Sequence, residues 1–148
     1  MTPDDVEIMR TWHYPEPYQT YDLDSEPDDI DVLLADIASG DRSFAVVDPD
    51  GDVLLGFFSF AATEGEVEIG LGLRPDLTGR GLGSSLVETG VAFARARWSP
   101  TIFTLDVFPW NARAIKAYER AGFAQGDVYT RRCDDGAERR FLRMSRPA

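Results

Sequence analysis

Short apolar runs separated by Gly, Pro and Asp residues recur along the chain, and they indicate β-strands joined by tight turns. The segment Pro49-Asp50-Gly51-Asp52 lies between two such runs and is typical of a hairpin turn. Glu64-Gly65 predicts a second turn, so the middle strands should form an antiparallel meander. The predicted strands are Val6–Arg10, Phe44–Asp48, Val53–Ala61, Glu66–Leu73, Thr101–Phe108, Val128–Arg132 and Arg140–Met144.

Three other stretches have the pattern of helices. The first follows Asp28 or Asp29, either of which is a good N-cap, and it stops at Gly40. Its apolar residues recur at the spacing i, i+3, i+4, i+7 of an amphipathic helix. They are Ile30, Leu33, Leu34 and Ile37.

The second predicted helix runs from Leu82 to about Arg97, with Leu82, Leu86 and Phe93 on one face. The third spans Ala112–Ala121, where Asn111 fits the N-cap and Gly122 the C-terminal stop. The order of these elements predicts a mixed α/β (α+β) fold. The length of 148 residues fits a single domain over residues 1–148.

Composition narrows the classes of partner. The net charge of −11 disfavours nucleic acid, because phosphate binding depends on basic residues. The same charge suits a cationic substrate, and it also serves solubility. No apolar run approaches the roughly 20 residues that span a bilayer, and the acidic N-terminus lacks the apolar segment of a secretory signal. One cysteine and one histidine permit neither a disulfide nor a usual zinc set, so we expect a metal-free, cytoplasmic protein without a membrane partner.

Candidate chemistry begins at the glycine-rich loop, where Gly79, Gly81 and Gly83 precede a helix. Glycines let a ligand approach the backbone, and the free N–H groups and dipole of a helix start attract an anion. Arg80 could add a charged contact. Neither a Walker loop nor a dinucleotide fingerprint fits, because the lysine of the first and the third glycine of the second are missing. A tight turn that binds no ligand is the alternative.

Two segments together resemble the GNAT acetyltransferase superfamily. Thr78-Gly79-Arg80-Gly81-Leu82-Gly83 is similar to its pyrophosphate loop Q/R-x-x-G-x-G/A, with Thr78 in place of the usual Gln or Arg. Residues Asn111 to Phe123 are similar to its second signature, N-x-x-A-x-x-x-Y-x-x-x-G-F. The resemblance covers about Val46 to Met144. It implies a central, mostly antiparallel, splayed sheet flanked by helices, and an enzyme that uses acetyl-CoA.

The resemblance also implies roles for individual residues. The backbone near Leu71 and Leu73 would pair with the pantetheine arm of the cofactor, and Asn111 would contact the cofactor or its acyl end. Tyr118 would protonate the departing thiolate, which a phenol with a pKa near 10 can do without being ionised itself. A core aromatic remains the alternative for Tyr118. The pyrophosphate would lie on the N–H groups of Thr78, Gly79, Arg80, Gly81, Leu82, Gly83 and Ser84.

The acceptor amine must lose a proton. Glu66 and Glu68 fall on one face of their strand by alternation, and we favour Glu68 as the base, directly or through water. Glu66, a water molecule alone, or two glutamates that merely face solvent remain alternatives.

The N-terminal segment is rich in aromatic residues, and in this family the corresponding segment commonly lines the acceptor pocket. An aromatic wall with the acidic neighbours Asp22, Asp24 and Glu26 would suit a cationic amine of a small molecule or a peptide. His13 is a second candidate base. The alternative is that the aromatic residues cover the core. The wall would consist of Trp12, Tyr14, Tyr18 and Tyr21.

Two further questions stay open at this point. The leading hypothesis is an acetyl-CoA-dependent N-acetyltransferase, and the alternative is a non-catalytic acyl-CoA-binding module of the same fold. Many members of the family form dimers, and the sequence leaves a homodimer open.

Overall fold

The computed structural model describes residues 1–25, 27–133 and 135–148, which form four α-helices and six β-strands. The helices are α1 (Pro3–Arg10), α2 (Pro27–Ser39), α3 (Gly83–Trp98) and α4 (Ala112–Arg120). The strands are β1 (Ser43–Val47), β2 (Leu54–Thr63), β3 (Glu66–Leu73), β4 (Ile102–Val107), β5 (Ala124–Arg132) and β6 (Glu138–Pro147). Within these ranges, no helix combines the length and the apolar character that crossing a bilayer requires.

The strands form one sheet in the order β1-β2-β3-β4-β6-β5. The pairs β1–β2, β4–β6 and β5–β6 are antiparallel, whereas β3 and β4 are parallel. The predicted mixed α/β fold with a mostly antiparallel sheet is therefore confirmed.

The chain divides into two compact units, one made of Met1–Ser59 and Gly72–Thr78, the other of Phe60–Leu71 and Gly79–Ala148. The single domain expected from the sequence stays a prediction. In the first unit, Met9, Trp12 and Leu54 form a buried apolar cluster. Partly buried apolar residues pack against it, namely Met1, Leu23, Leu33, Ala45 and Phe57.

The first element is a helix, so the strand predicted over Val6–Arg10 is wrong. Thr2 accepts a hydrogen bond from the Asp5 N–H, the Asp5 carboxylate accepts one from the Thr2 N–H, and Pro3 opens the helix. This capping box satisfies backbone groups that a strand would leave unpaired. Val6 and Met9, three residues apart, are then buried together on one face.

Helix α2 begins at Pro27, so Asp28 and Asp29 belong to the helix and the predicted N-cap is wrong. Gly40 follows the helix with φ of +77°, which confirms the predicted stop. Glu26, which was named above, lies outside the described residues.

Helix α3 buries a different face from the predicted one. Leu86 is buried as expected, but Leu82 precedes the helix and is 42% exposed, and Phe93 is 39% exposed. Phe93 stacks instead on Phe60 at a centroid distance of 5.6 Å. The buried stripe is built from small and branched residues at helical spacing, which are Leu86, Val87, Gly90, Val91 and Ala94.

Candidate active site

The parallel strands β3 and β4 separate part of the way along their length. Their pairing covers Glu66–Glu68 against Ile102–Thr104, yet β3 continues to Leu73 and β4 to Val107. In the second unit, the edge of β3 beyond Glu68 therefore has backbone N–H and C=O groups that no neighbouring strand pairs within the described ranges. The splayed sheet implied by the family resemblance is confirmed.

The glycine loop leads into α3 without a side-chain cap. Gly79 and Gly81 have φ of +75° and +79°, a conformation that favours glycine, and a Cβ on either would meet nothing within 4 Å. The N-cap position is Leu82, whose carbonyl accepts the helical bond from the Leu86 N–H at 3.0 Å. The N–H groups at the helix start thus have no intrahelical acceptor, as an anion site requires.

Gly83 has a packing role. A Cβ at Gly83 would lie 3.2 Å from the Cβ of Ala117, so the start of α3 and the middle of α4 approach closely. The third glycine of the loop therefore lets α3 pack against α4, the helix that carries the second signature.

The start and the end of α4 match the sequence prediction. Asn111 is 5% exposed, and its side-chain oxygen accepts a hydrogen bond from the Ala114 N–H at 3.1 Å, which confirms the N-cap. Gly122 ends the helix with φ of +84°. Tyr118 lies half-buried on α4, and its carbonyl accepts a bond from the Phe123 N–H at 3.0 Å. Its role as an acid stays a prediction, as does contact of Asn111 with a cofactor.

The two glutamates of β3 lie on one face of the sheet, as predicted, because both pair with Arg143 of β6. The distances are 3.5 Å from Arg143 Nη1 to Glu66 Oε1 and 3.2 Å from Nη2 to Glu68 Oε2. Glu66 Oε1 also accepts a hydrogen bond from the Thr104 hydroxyl at 2.7 Å. Glu68 is the last residue of β3 that pairs with β4, so it lies where the strands begin to separate.

Arg143 also pairs with Asp106 of β4, whose side chain is only 7% exposed. Its Nη2 donates to Asp106 Oδ2 at 3.1 Å, and its Nε lies 2.7 Å from Oδ1, an ion pair without hydrogen-bond alignment. Tyr129 donates its hydroxyl proton to Oδ2, and Arg131 Nη1 lies 3.2 Å from the same oxygen. The structure thus gathers one charged cluster, defined as Glu66, Glu68, Thr104, Asp106, Tyr129, Arg131 and Arg143.

Within the charged cluster, the pKa values of two side chains are raised. Burial, and then the hydrogen bond to Asp106, raise the pKa of Tyr129 above its usual value. Burial opposes the charge of Arg143, yet the hydrogen bond with Tyr129 and the charge of Asp106 raise its pKa above that of an ordinary arginine. Among the described side chains, no group of three or more His, Cys, Asp or Glu residues is arranged to hold a metal ion.

Five members of this cluster were not predicted from the sequence, namely Thr104, Asp106, Tyr129, Arg131 and Arg143. The available signal was alternation: the polar residues Thr104 and Asp106 are two residues apart on β4, and Tyr129 and Arg131 are two residues apart on β5.

The N-terminal aromatic residues have different environments in the first unit. Trp12 is 7% exposed and belongs to the apolar cluster, so its position fits the core alternative. The Tyr14 hydroxyl donates to the Leu73 carbonyl at 2.9 Å, and its ring meets that of Tyr21 edge-on at 6.3 Å. Tyr18 is half-buried in a short 3-10 turn. An acceptor wall made by these residues stays a prediction.

The Leu73 carbonyl faces away from β2, because the Arg74 N–H of the same peptide donates to the Leu55 carbonyl at 2.8 Å. The Tyr14 hydroxyl therefore bonds a carbonyl that was predicted to pair with the pantetheine arm.

His13 and Thr78 both have local partners. His13 is 72% exposed, and its Nδ1 lies 3.0 Å from Asp22 Oδ2. Thr78, which stands where the family has Gln or Arg, donates its hydroxyl to the Pro75 carbonyl at 2.7 Å. The Thr78 hydroxyl proton is thus used within its own turn.

The second unit thus combines a splayed parallel strand pair, a glycine-rich and uncapped helix start, and an Asn-capped helix, in the order that the GNAT resemblance implies. The model of the acetyltransferase (GNAT) family matches residues 6–123, which is more than half of the chain. The chain belongs to this family. No curated protein sequence matches it.

Solved structures share the fold. A spermidine N-acetyltransferase SpeG chimera from Vibrio cholerae and hSSAT has a TM-score of 0.77 at 16% identity, covering 99% of this chain and 92% of that one. A GNAT-family acetyltransferase from Bacillus anthracis has a TM-score of 0.66 at 15% identity, covering 82% and 75%. The ribosomal-protein-S18-alanine N-acetyltransferase from Escherichia coli has a TM-score of 0.58 at 25% identity, covering 77% and 76%.

Proposed function

We propose that this protein transfers an acetyl group from acetyl-CoA to an amine of a small molecule or a peptide. The observation that carries the proposal is the second unit's combination of a splayed strand edge, an open glycine loop and the capped helix with Tyr118. A turn that merely reverses the chain would not need unpaired strand edges beside it. Family membership supplies the acetyltransferase class.

The second unit has the groups that hold acetyl-CoA in this proposal. N–H groups from Gly79 to Ser84 bind the pyrophosphate, the space beside Gly79 and Gly81 is open, and the exposed Arg80 adds charge. Backbone groups of β3 near Leu71 bind the pantetheine amides through the open strand edge. When bound, acetyl-CoA supplies the thioester that the amine attacks.

Proton transfer is assigned to two side chains. An alkylamine with a pKa near 10.4 costs about 4.6 kcal/mol to deprotonate at pH 7, so a proton acceptor is needed. Glu68 takes this role, directly or through water, because it lies where the strands separate. Arg143 Nη2 lies 3.2 Å from Glu68 Oε2, whereas Glu66 is held by both Arg143 and Thr104. Tyr118 holds the proton that the released thiolate takes up.

A non-catalytic acyl-CoA-binding module is the second candidate. It is favoured by Thr78, because a hydroxyl bound to the Pro75 carbonyl does not replace the Gln or Arg of the family loop. Acetyl-CoA binding without release of free thiol across a panel of amines would support the module. The panel includes spermidine, a peptide with N-terminal alanine and a simple alkylamine, because the fold neighbours act on the first two kinds of acceptor.

The decisive experiment compares thermal unfolding with acetyl-CoA, CoA, ATP and NAD. A ligand present at 100 times its Kd stabilises the fold by about 2.7 kcal/mol. Gly81→Glu should abolish the shift with acetyl-CoA, since it places bulk and negative charge in the anion site.

A matched control tests whether the loss of binding is specific to the loop. Gly136→Glu introduces the same side chain at φ of +78°, close to the +79° of Gly81, in an exposed turn where a Cβ also meets nothing. It should keep the shift. Equal acetyl-CoA shifts in Gly81→Glu and the wild type would refute the loop assignment.

A further inference from the structure

The charged cluster contains an arginine that links the proposed base to the buried part of the sheet. Arg143 lies on β6, where its Cα pairs with that of Asp106 on β4. Its guanidinium reaches Asp106 on one side and both β3 glutamates on the other. One planar group thus connects three strands of the sheet.

At one end of this connection, Asp106 is buried and accepts several hydrogen bonds. The Asp106 side chain is 7% exposed, and Tyr129, Arg131 and Arg143 all donate to its Oδ2. Arg143 Nη2 also donates to the Tyr129 hydroxyl at 3.2 Å, and the guanidinium lies over the Tyr129 ring, 5.6 Å from its centroid. These contacts fix the guanidinium, so the side that faces Glu68 has a defined direction.

Most of the charged side chains near Glu68 are acidic, and Arg143 is the cation that contacts it among the described residues. Glu66 on the same strand and Asp106 on β4 both repel a negative Glu68, and Thr104 on β4 is neutral. Arg131 of β5 reaches Asp106, but it has no contact with Glu68 among the described residues. Arg143 is therefore the cation that offsets the repulsion at Glu68.

We propose that Arg143 is a positioning residue, which ties Glu68 to buried Asp106 and holds it as an oriented carboxylate facing the acceptor amine. The proposal rests on the proposed function, because it assigns a task to the base of that reaction. Arg143 does not take part in the proton transfer. It orients the carboxylate through the contact of its Nη2 with Oε2 at 3.2 Å, and the carboxylate accepts the proton directly or through water.

The test is the split between kcat and KM in wild type, Arg143→Met, Arg143→Gln and Arg143→Lys, with the amine that turns over best. Without the guanidinium, Glu68 loses the contact that orients its carboxylate, so kcat should fall by about 10-fold or more in Arg143→Met and Arg143→Gln, while the KM for acetyl-CoA stays within about 2-fold. Arg143→Lys should restore part of kcat, because it keeps a cation at this position. Arg139→Met is the matched control, because it removes an arginine of β6 that pairs with Asp135 instead, and its kcat should not change.

A second measurement does not require turnover. Carbon NMR of protein labelled at the glutamate carboxyl carbon should show the Glu68 signal at a changed chemical shift in both uncharged variants at one fixed pH, and at the wild-type chemical shift in Arg139→Met. An unchanged Glu68 signal and an unchanged kcat in a folded Arg143→Met or Arg143→Gln protein would overturn the role of Arg143 alone. Loss of folding in both would assign Arg143 to stability and overturn it as well. A wild type that binds acetyl-CoA but acetylates no amine at any pH would instead overturn the proposed function and the positioning role with it.

Discussion

Strand β3 approaches β2 so closely that glycine is required at two facing positions of the first unit. A Cβ on Gly72 would lie 2.1 Å from Cε1 and 2.7 Å from Cζ of Phe57. A Cβ on Gly56 would lie 2.5 Å from the Gly72 carbonyl oxygen. Ordinary carbon contacts are about 3.5–4.0 Å, so Gly72→Ala requires the Phe57 ring to move by about 1.5 Å.

The cost of this movement follows from what surrounds the ring. Phe57 packs against the apolar cluster of Met9, Trp12 and Leu54, so the ring cannot move without disturbing that packing. Overpacking of this kind destabilises the folded protein by about 1–3 kcal/mol. Replacing glycine also lowers the conformational entropy of the unfolded chain, which stabilises the folded state by about 0.4–1 kcal/mol. Gly72→Ala should therefore lower the free energy of unfolding by about 1–2 kcal/mol, and the Tm by about 3–8 °C.

A double-mutant cycle by urea unfolding isolates the ring contact. In a Phe57→Ala background, Gly72→Ala should be neutral or stabilise by up to about 1 kcal/mol, because the obstacle is gone. Gly56→Ala is the control, since its obstacle is backbone and its cost should persist in that background. If Gly72→Ala costs the same with and without the Phe57 ring, the steric explanation is wrong.

Two further results are expected from single substitutions. Tyr118→Phe should lower kcat, measured by thiol release, by about 100-fold or more, while the Kd for acetyl-CoA, measured by calorimetry, stays within about 2-fold. Wild-type turnover in this variant would show that Tyr118 only packs against its neighbours. Because the pKa of Tyr129 is raised in the folded state, its contribution to stability is present below about pH 10 and lost as the pH rises through the folded value. The absorbance difference at 295 nm between wild type and Tyr129→Phe should therefore appear above pH 10, and a phenol that titrates at or below 10 would contradict the hydrogen bond to Asp106.

Local sequence patterns predicted those parts of the structure whose determinants are contiguous. Asn111 caps α4 by bonding the N–H three residues along the chain, and Gly122 lies two residues past the last residue of the helix, so both could be assigned directly. The hairpin before β2 was equally local: the Asp48 N–H bonds the Val53 carbonyl at 3.0 Å, and Gly51 has φ of +80°.

The errors arose where two local signals competed. In the first ten residues, the apolar residues within Val6–Arg10 suggest a strand. Thr2 and Asp5, however, form a capping box before this segment, and Pro3 opens a helix. On α3, the large residues Leu82 and Phe93 suggested the buried face, whereas the helix buries smaller residues around Gly90. The capping residues thus indicated the type of the first element, and the small residues around Gly90 indicated the buried face of α3, better than the large apolar residues did.

The charged cluster could not be derived from local pattern, because its members meet only through sheet register. Asp106 and Arg143 are 37 residues apart and are joined by the antiparallel pairing of β4 with β6. Glu68 reaches the same guanidinium because β3 runs parallel to β4 over three residues before separating. A slip of one residue in either pairing would turn the acidic or the basic side chain to the opposite face. The proposed base thus depends on the pairing of three strands, whereas the glycine loop depends on the six residues that form it, and this is why the sequence specified the glycine loop more completely than the surroundings of the proposed base.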